Sequence, residues 1–131
     1  MDSSKMESYK LKDLFGKNEF FDHLYVVRNF DQIYYVGKAG KNCVSQRMIS
    51  HIRHYYENNS HKFAKLLFDN FPGCFEWTVD VMSVESARAV TGEKYCCITT
   101  AEAGLYDYYK ANKKTPLGNG VRPSSKCNCK K

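Results

Sequence analysis

The sequence predicts an α+β fold: a small, mainly antiparallel sheet of three strands, an N-terminal hairpin plus one later strand, flanked by helices. Three observations carry this. Two short runs rich in Val, Ile and Tyr, residues 24–28 and 32–37, flank the turn-prone Asn29-Phe30-Asp31, as the strands of a β-hairpin do. Apolar residues then recur at helical spacing over residues 44–56 and 61–70. After these, Phe75, Trp77, Val79 and Val81 alternate with Glu76, Thr78, Asp80 and Met82, the period of a half-buried strand.

The chain of 131 residues suits one domain with a single core. Its apolar content of 43% excludes a wholly disordered chain. No apolar run reaches membrane-spanning length, and the segment from Met1 to Ser8 lacks the apolar centre of a signal peptide. An intracellular protein, of cytoplasm or nucleus, with no membrane partner is therefore expected. Its six cysteines are expected as thiols rather than disulfides. Cys96-Cys97 and Cys127-Asn128-Cys129 together offer a four-thiolate metal set, although neither pair has the two-residue gap of zinc knuckles. The plainer expectation is two core thiols on a buried segment and two in a loose tail.

Each element follows in order. Residues 1–20 read as a leader, frayed to about residue 9, with a helical turn over 10–15 ended by Gly16. Phe20 and Phe21 lead into the hairpin as core anchors. Beyond Gly37 the polar residues 38–42 form a connection, with Lys38 at the exit of the second strand. In the helix over 44–56, Val44, Met48, Ile52 and Tyr55 share one face, widened by Ile49 and Tyr56. Arg47, His51, His54 and Asn58 make a polar stripe at the edge of that buried face, where a helix meets its sheet. Asn58-Asn59-Ser60 breaks the helix, and Phe63, Leu66, Leu67 and Phe68 make the next one apolar.

Residues 84–90 suit a helical turn or two, and 94–99 either a short strand or a helix continuation. Thr99-x-x-Glu102 has the form of a capping box, so a helix over 99–112 is expected, with Ala101, Leu105 and Tyr108 facing the core. Glu102, Tyr106 and Tyr109 form the stripe beside them. A turn-rich stretch then surrounds Asn119. The domain expected from these elements covers residues 21–122, followed by a basic, Cys-containing tail over 123–131.

The net charge of +6 is unevenly placed. All 14 acidic residues lie at or before Asp107, whereas residues 110–131 hold seven basic ones and no acidic one. A second basic block, Lys38, Lys41, Arg47, Arg53, Lys62 and Lys65, faces the single Glu57. Two basic segments on a more acidic body suit a polyanion such as nucleic acid. The hairpin and the helix after it also bring two phenols, Tyr25 and Tyr35, near a guanidinium, Arg47, and an imidazole, His51. These groups together suggest a site that handles phosphate.

The order Leu24-Tyr25, Tyr35-Val36-Gly37, Arg47-x-x-x-His51, Glu102, Asn119 resembles the GIY-YIG nuclease superfamily over about residues 22 to 120. Two departures stand out. The first tripeptide, His23-Leu24-Tyr25, lacks its glycine, and the stretch before Glu102 is longer than in minimal members, which makes Glu85 and Glu93 rivals for its role. The resemblance implies a GIY-YIG-like fold and a Mg²⁺-dependent phosphodiesterase, an endonuclease that hydrolyses DNA. Glu102 would hold one Mg²⁺ (or Mn²⁺), and Arg47 would grip the phosphate. Tyr25, or His51 in its place, would be the general base, with Lys38 near enough to help lower a phenol's pKa. Tyr35 and His51 would orient water and phosphate, and Asn119 would position the terminal loop or the glutamate helix.

Duplex or branched DNA is the expected partner, with RNA and a homodimer left open. The alternatives are a catalytically silent nucleic-acid-binding module of the same fold, and a protein-interaction domain whose Cys-rich tail binds metal or a partner.

Overall fold

The hairpin forms where the alternation places it: β2 (His23–Asn29) and β3 (Gln32–Ala39) pair antiparallel. They belong to a computed structural model that describes residues 6–15, 17, 19–41, 43–57, 62–119 and 121–127, less the side chains at 52 and 54–57. Around the hairpin the sheet has four strands rather than three, in the order β1-β4-β2-β3 with every pair antiparallel.

The additional strand, β1 (Glu7–Lys10), lies in the expected leader. It pairs with β4 (Thr78–Met82) and is followed at once by α1 (Leu11–Leu14), whose Leu11 and Leu14 are buried. Its backbone carries the pairing, and a side-chain bond from Ser8 Oγ to Asp80 Oδ1 (2.6 Å) adds to it. The ending of that turn at Gly16 lies outside the described residues. The later strand starts at Thr78 rather than Phe75, because Gly73–Glu76 folds into a 3-10 turn.

Strand alternation gives the sheet two covered faces. Tyr25, Val27, Val79 and Val81 point to one face and meet Val44 and Met48 of α2 (Val44–Glu57) and Phe63 and Leu67 of α3 (Lys62–Asp69). Leu24, Val26, Val36 and Met82 point to the other. There they meet Ala87 of α4 (Val84–Thr91) and Ala101 and Leu105 of α5 (Ile98–Ala111). Within α2, Ile49 is exposed instead of widening the apolar arc. The side chains of His54, Tyr55, Tyr56 and Asn58 lie outside the described ones, as does the break at 58–60.

Residues 84–91 are helical because Ser83 caps them, its Oγ accepting from the Ser86 N–H (3.2 Å), and Gly92 ends them at φ +79°. α5 starts two residues earlier than a Thr99 cap would allow. Cys97 is its N-cap, and Thr100 completes the box by accepting from the Cys97 N–H (3.4 Å). Glu102 is therefore released from capping. On this helix Tyr106 is buried in place of Tyr108, which is half-buried. The chain after α5 returns to the outer edge of β3. The Leu117 and Gly118 N–H groups donate to the carbonyls of Ile33 (3.3 Å) and Tyr34 (2.6 Å), covering an edge that would otherwise be open to pairing.

Candidate active site

The register of the hairpin builds the centre of the site. Tyr25 on β2 stands directly opposite Gly37 on β3, and Val27 opposite Tyr35. With no side chain at Gly37, the Tyr25 ring lies across it: a Cβ there would come within 2.5 Å of Tyr25 Cζ and 2.6 Å of Tyr35 Cε2. The two phenol rings sit 6.0 Å apart, the spacing of diagonal cross-strand neighbours. From α2, His51 packs edge-on against Tyr35 (4.9 Å) and joins its Nε2 to the Tyr25 hydroxyl at 3.0 Å. Phe63 of α3 stacks on the far face of this group, 4.4 Å from Tyr35 and nearly parallel to it.

This aromatic cluster is enclosed: Tyr25 is 0% and His51 2% exposed. Burial, and next the neighbouring Tyr35, push the Tyr25 phenol well above its ordinary pKa, while Arg47 partly offsets the rise. Tyr35 is pushed up to about 12, chiefly by burial and then by the Glu102 carboxylate, again against Arg47. Both phenols are thus held protonated at neutral pH.

In front of them opens a cleft of about 470 Å³, lined by Lys38, Gly40, Lys41, Arg47, Ile98 and Glu102. β3 alternation turns Lys38 away from Tyr25 and towards α5, where its Nζ donates to Thr99 Oγ1 (2.8 Å). Glu102 follows one turn along the same helix. Its carboxyl is raised above the usual range by burial, which outweighs the opposing pull of Lys38 and Arg47. Arg47 closes the first turn of α2, its backbone N–H donating to the Cys43 carbonyl (3.0 Å), and its buried Nε–H has no hydrogen-bond acceptor among the described residues. Part of its donor fork is therefore unspent, beside a half-buried carboxylate and two lysines. Such a cleft can hold a phosphate through its cations and a small hard cation through its carboxylate.

Compared with known protein families, curated proteins and solved structures, the chain matches none. The meaning of the site rests on its own geometry.

Of the seven site residues expected from sequence, Lys38, Arg47 and Glu102 line the cleft, and Tyr25, Tyr35 and His51 form the layer behind it. Asn119 stands apart from the cleft's lining. Its side chain pairs with the backbone of Val36 in strand fashion, Oδ1 accepting from the N–H and Nδ2 donating to the carbonyl, both at 2.9 Å. The rivals to Glu102 lie elsewhere: Glu85 is exposed beside Arg88 (3.9 Å), and Glu93 lines a different hollow with Tyr95 and Arg122. Sequence reading missed Thr99 as the partner of Lys38 and Phe63 as the platform for Tyr35. Neither carries a local signal, since a helix-opening Thr and an apolar helix residue are expected there anyway.

Proposed function

We propose that the protein is a metal-dependent endonuclease of the GIY-YIG type that hydrolyses DNA phosphodiester bonds in the Lys38–Arg47–Glu102 cleft. The observation that carries this is the convergence on one cleft of a carboxylate, a partly unspent guanidinium and two lysines, with a Tyr–His pair directly behind. The order of motifs along the chain supports the same reading.

Hydrolysis forms a new P–O bond from water and breaks the ester P–O bond, while the water proton departs and negative charge grows on the phosphate. Arg47 donates from its fork to a non-bridging oxygen, and Lys38 and Lys41 add positive charge. Glu102 fits Mg²⁺ or Mn²⁺, which bind through one or two carboxylates and keep several waters. Bound there, the ion supplies charge stabilisation at the scissile phosphate. An isolated phenol pushed well above 10 is a poor base at neutral pH, so we assign the proton to the Tyr25–His51 pair. The Tyr25 oxygen accepts the water proton as its own passes to His51 Nε2, and no phenolate accumulates. Both groups lie beneath the cleft surface, so the transfer requires Arg47 to swing onto the phosphate.

That enclosure favours one alternative, a catalytically silent nucleic-acid-binding module. Incubating the purified chain with supercoiled plasmid and Mg²⁺, Mn²⁺ or EDTA separates the two. Metal-dependent nicking that Arg47→Ala lowers by about 10²–10³-fold supports the nuclease. Glu102→Ala is expected to abolish cutting and leave DNA binding nearly intact. A mobility shift without cutting on plain or branched DNA would leave the binding module.

A further inference from the structure

Cys96, Cys97 and Cys127 bring their sulfurs within 4.8 Å of one another, from segments 31 residues apart. Cys96 Sγ lies 3.8 Å from Cys97 Sγ and 3.3 Å from Cys127 Sγ. Burial does not account for this. A cysteine kept for packing behaves as a small hydrophobe and goes to the core, as Cys43 and Cys74 do. Cys96 is exposed and the other two half-buried, so the expectation of two core thiols at 96–97 fails, yet these are the sulfurs that cluster.

We propose that these three thiols bind a thiophilic divalent d¹⁰ ion, of which Zn²⁺ is the commonest, and that the ion clasps the C-terminal tail to the start of α5. The spacing suits it: tetrahedral thiolates about 2.3 Å from zinc lie roughly 3.8 Å from one another. Soft sulfur donors select such an ion over Mg²⁺, so this site is distinct in kind from the carboxylate cleft. Its surroundings favour thiolates as well. Cys97 is the N-cap of a 14-residue helix, where the helix dipole stabilises negative charge. Lys94 and Lys126 flank the cluster in sequence.

The approach of the tail is already guided without metal. Arg122 forks onto Asp107 of α5, with Nε and Nη2 each 2.8 Å from a carboxylate oxygen, and this pairing turns the following residues back towards the helix N-terminus. Cys127 then completes the set. Cys129, a candidate fourth donor by sequence, lies outside the described residues.

The clasp would fix the helix start that carries Thr99 and Glu102, but it does not depend on what the cleft does.

The test uses the full chain, reduced and stripped of metal. Titration with Zn²⁺ followed by native mass spectrometry is expected to give one ion per chain. Titration with Co²⁺ is expected to give thiolate charge-transfer bands and the visible bands of a tetrahedral site. Cys96→Ser and Cys127→Ser should each weaken binding by at least about tenfold, the least that removal of a supporting neighbour costs a metal site. On the unaltered chain, Zn²⁺ should protect Cys96, Cys97 and Cys127 from maleimide, and a strong chelator should expose them. Failure to take up zinc at micromolar concentration would overturn the proposal. So would undiminished binding by the Cys96→Ser/Cys127→Ser double variant. A Cys96–Cys127 disulfide formed in air by a chain that takes up no metal under reductant would overturn it too.

Discussion

Replacing Gly37 by alanine tests the packing on which the whole site stands. The new Cβ would lie 2.5 Å from Tyr25 Cζ, 2.6 Å from Tyr25 Oη and 2.6 Å from Tyr35 Cε2. All three are well inside van der Waals distance, and all belong to planar rings rather than flexible chain ends. Tyr25 is fully buried against His51 and Tyr35, so it cannot yield outwards. Either its ring moves and gives up the 3.0 Å bond to His51, or β2 and β3 part locally.

Overpacking a core costs about 1–3 kcal/mol, and breaking a buried hydrogen bond adds about 1. For a chain of 131 residues, a destabilisation of about 2–4 kcal/mol lowers Tm by roughly 7–15 °C. Differential scanning calorimetry on Gly37→Ala is the assay, with Gly73→Ala as control, because a Cβ at Gly73 meets nothing within 4 Å. A Gly37→Ala Tm within about 2 °C of the parent, a change of well under 1 kcal/mol, would refute the packing argument.

Three further outcomes are expected. Asp80, buried in the sheet, accepts from Arg28 Nε (2.7 Å) and Nη2 (3.2 Å) and from Ser8 Oγ (2.6 Å), so Asp80→Ala should cost about 3 kcal/mol in urea unfolding. A cost below about 0.5 kcal/mol would show that the pair merely breaks even there. Glu102, raised by burial, contributes stability that is present below its unfolded pKa and is lost as pH rises through the folded value. Glu102→Gln should therefore unfold at a higher temperature than the parent at pH 7 and at the same temperature at pH 4, and equal stability at pH 7 would remove the burial penalty. Finally, alanine at Lys126, Lys130 and Lys131 together should flatten the salt dependence of DNA binding, by about 0.9 in log–log slope for each phosphate that these lysines neutralise. An unchanged slope would show that the tail does not touch phosphate.

What could be read from the chain follows from where side chains report on structure. The hairpin declares itself because Tyr25 and Val27 alternate with Leu24 and Val26 of the other face, and α2 does so through Val44 and Met48. β1 is silent for the opposite reason. Glu-Ser-Tyr-Lys is an edge strand held mainly by its backbone, and its only apolar anchor is a partly buried Tyr9. Phe75 and Trp77 imitate strand alternation while lying in and just after a 3-10 turn: Trp77 has already left the turn in extended backbone (φ −64°, ψ 152°), and both rings pack against the same core. The cap of α5 is ambiguous in sequence because Thr99-x-x-Glu102 and Cys97-x-x-Thr100 compete within two residues, and the spacing motif alone does not rank them. Which of three glutamates meets Arg47 is likewise a tertiary fact, decided by the loop of residues 92–97 that sets where α5 begins.

The edge strand β3 explains why the two layers of the site are inseparable. Consecutive residues on it serve opposite faces: Gly37 admits the Tyr25 ring on the α2 side, and Lys38 reaches Thr99 on the α5 side. A slip of one residue against β2 would put Lys38 opposite Tyr25, filling the space the ring needs and stripping the cleft of a cation. Such a slip is cheapest at an open edge, where no further strand holds the register. Here the edge is closed by Asn119, whose carboxamide takes both backbone groups of Val36, and by the amides of Leu117 and Gly118. Gly118 itself cannot be enlarged, because a Cβ would meet the Tyr34 carbonyl at 2.8 Å. Asn119 lies outside the cleft and holds the open edge of β3, the strand whose pairing with β2 puts Gly37 under Tyr25.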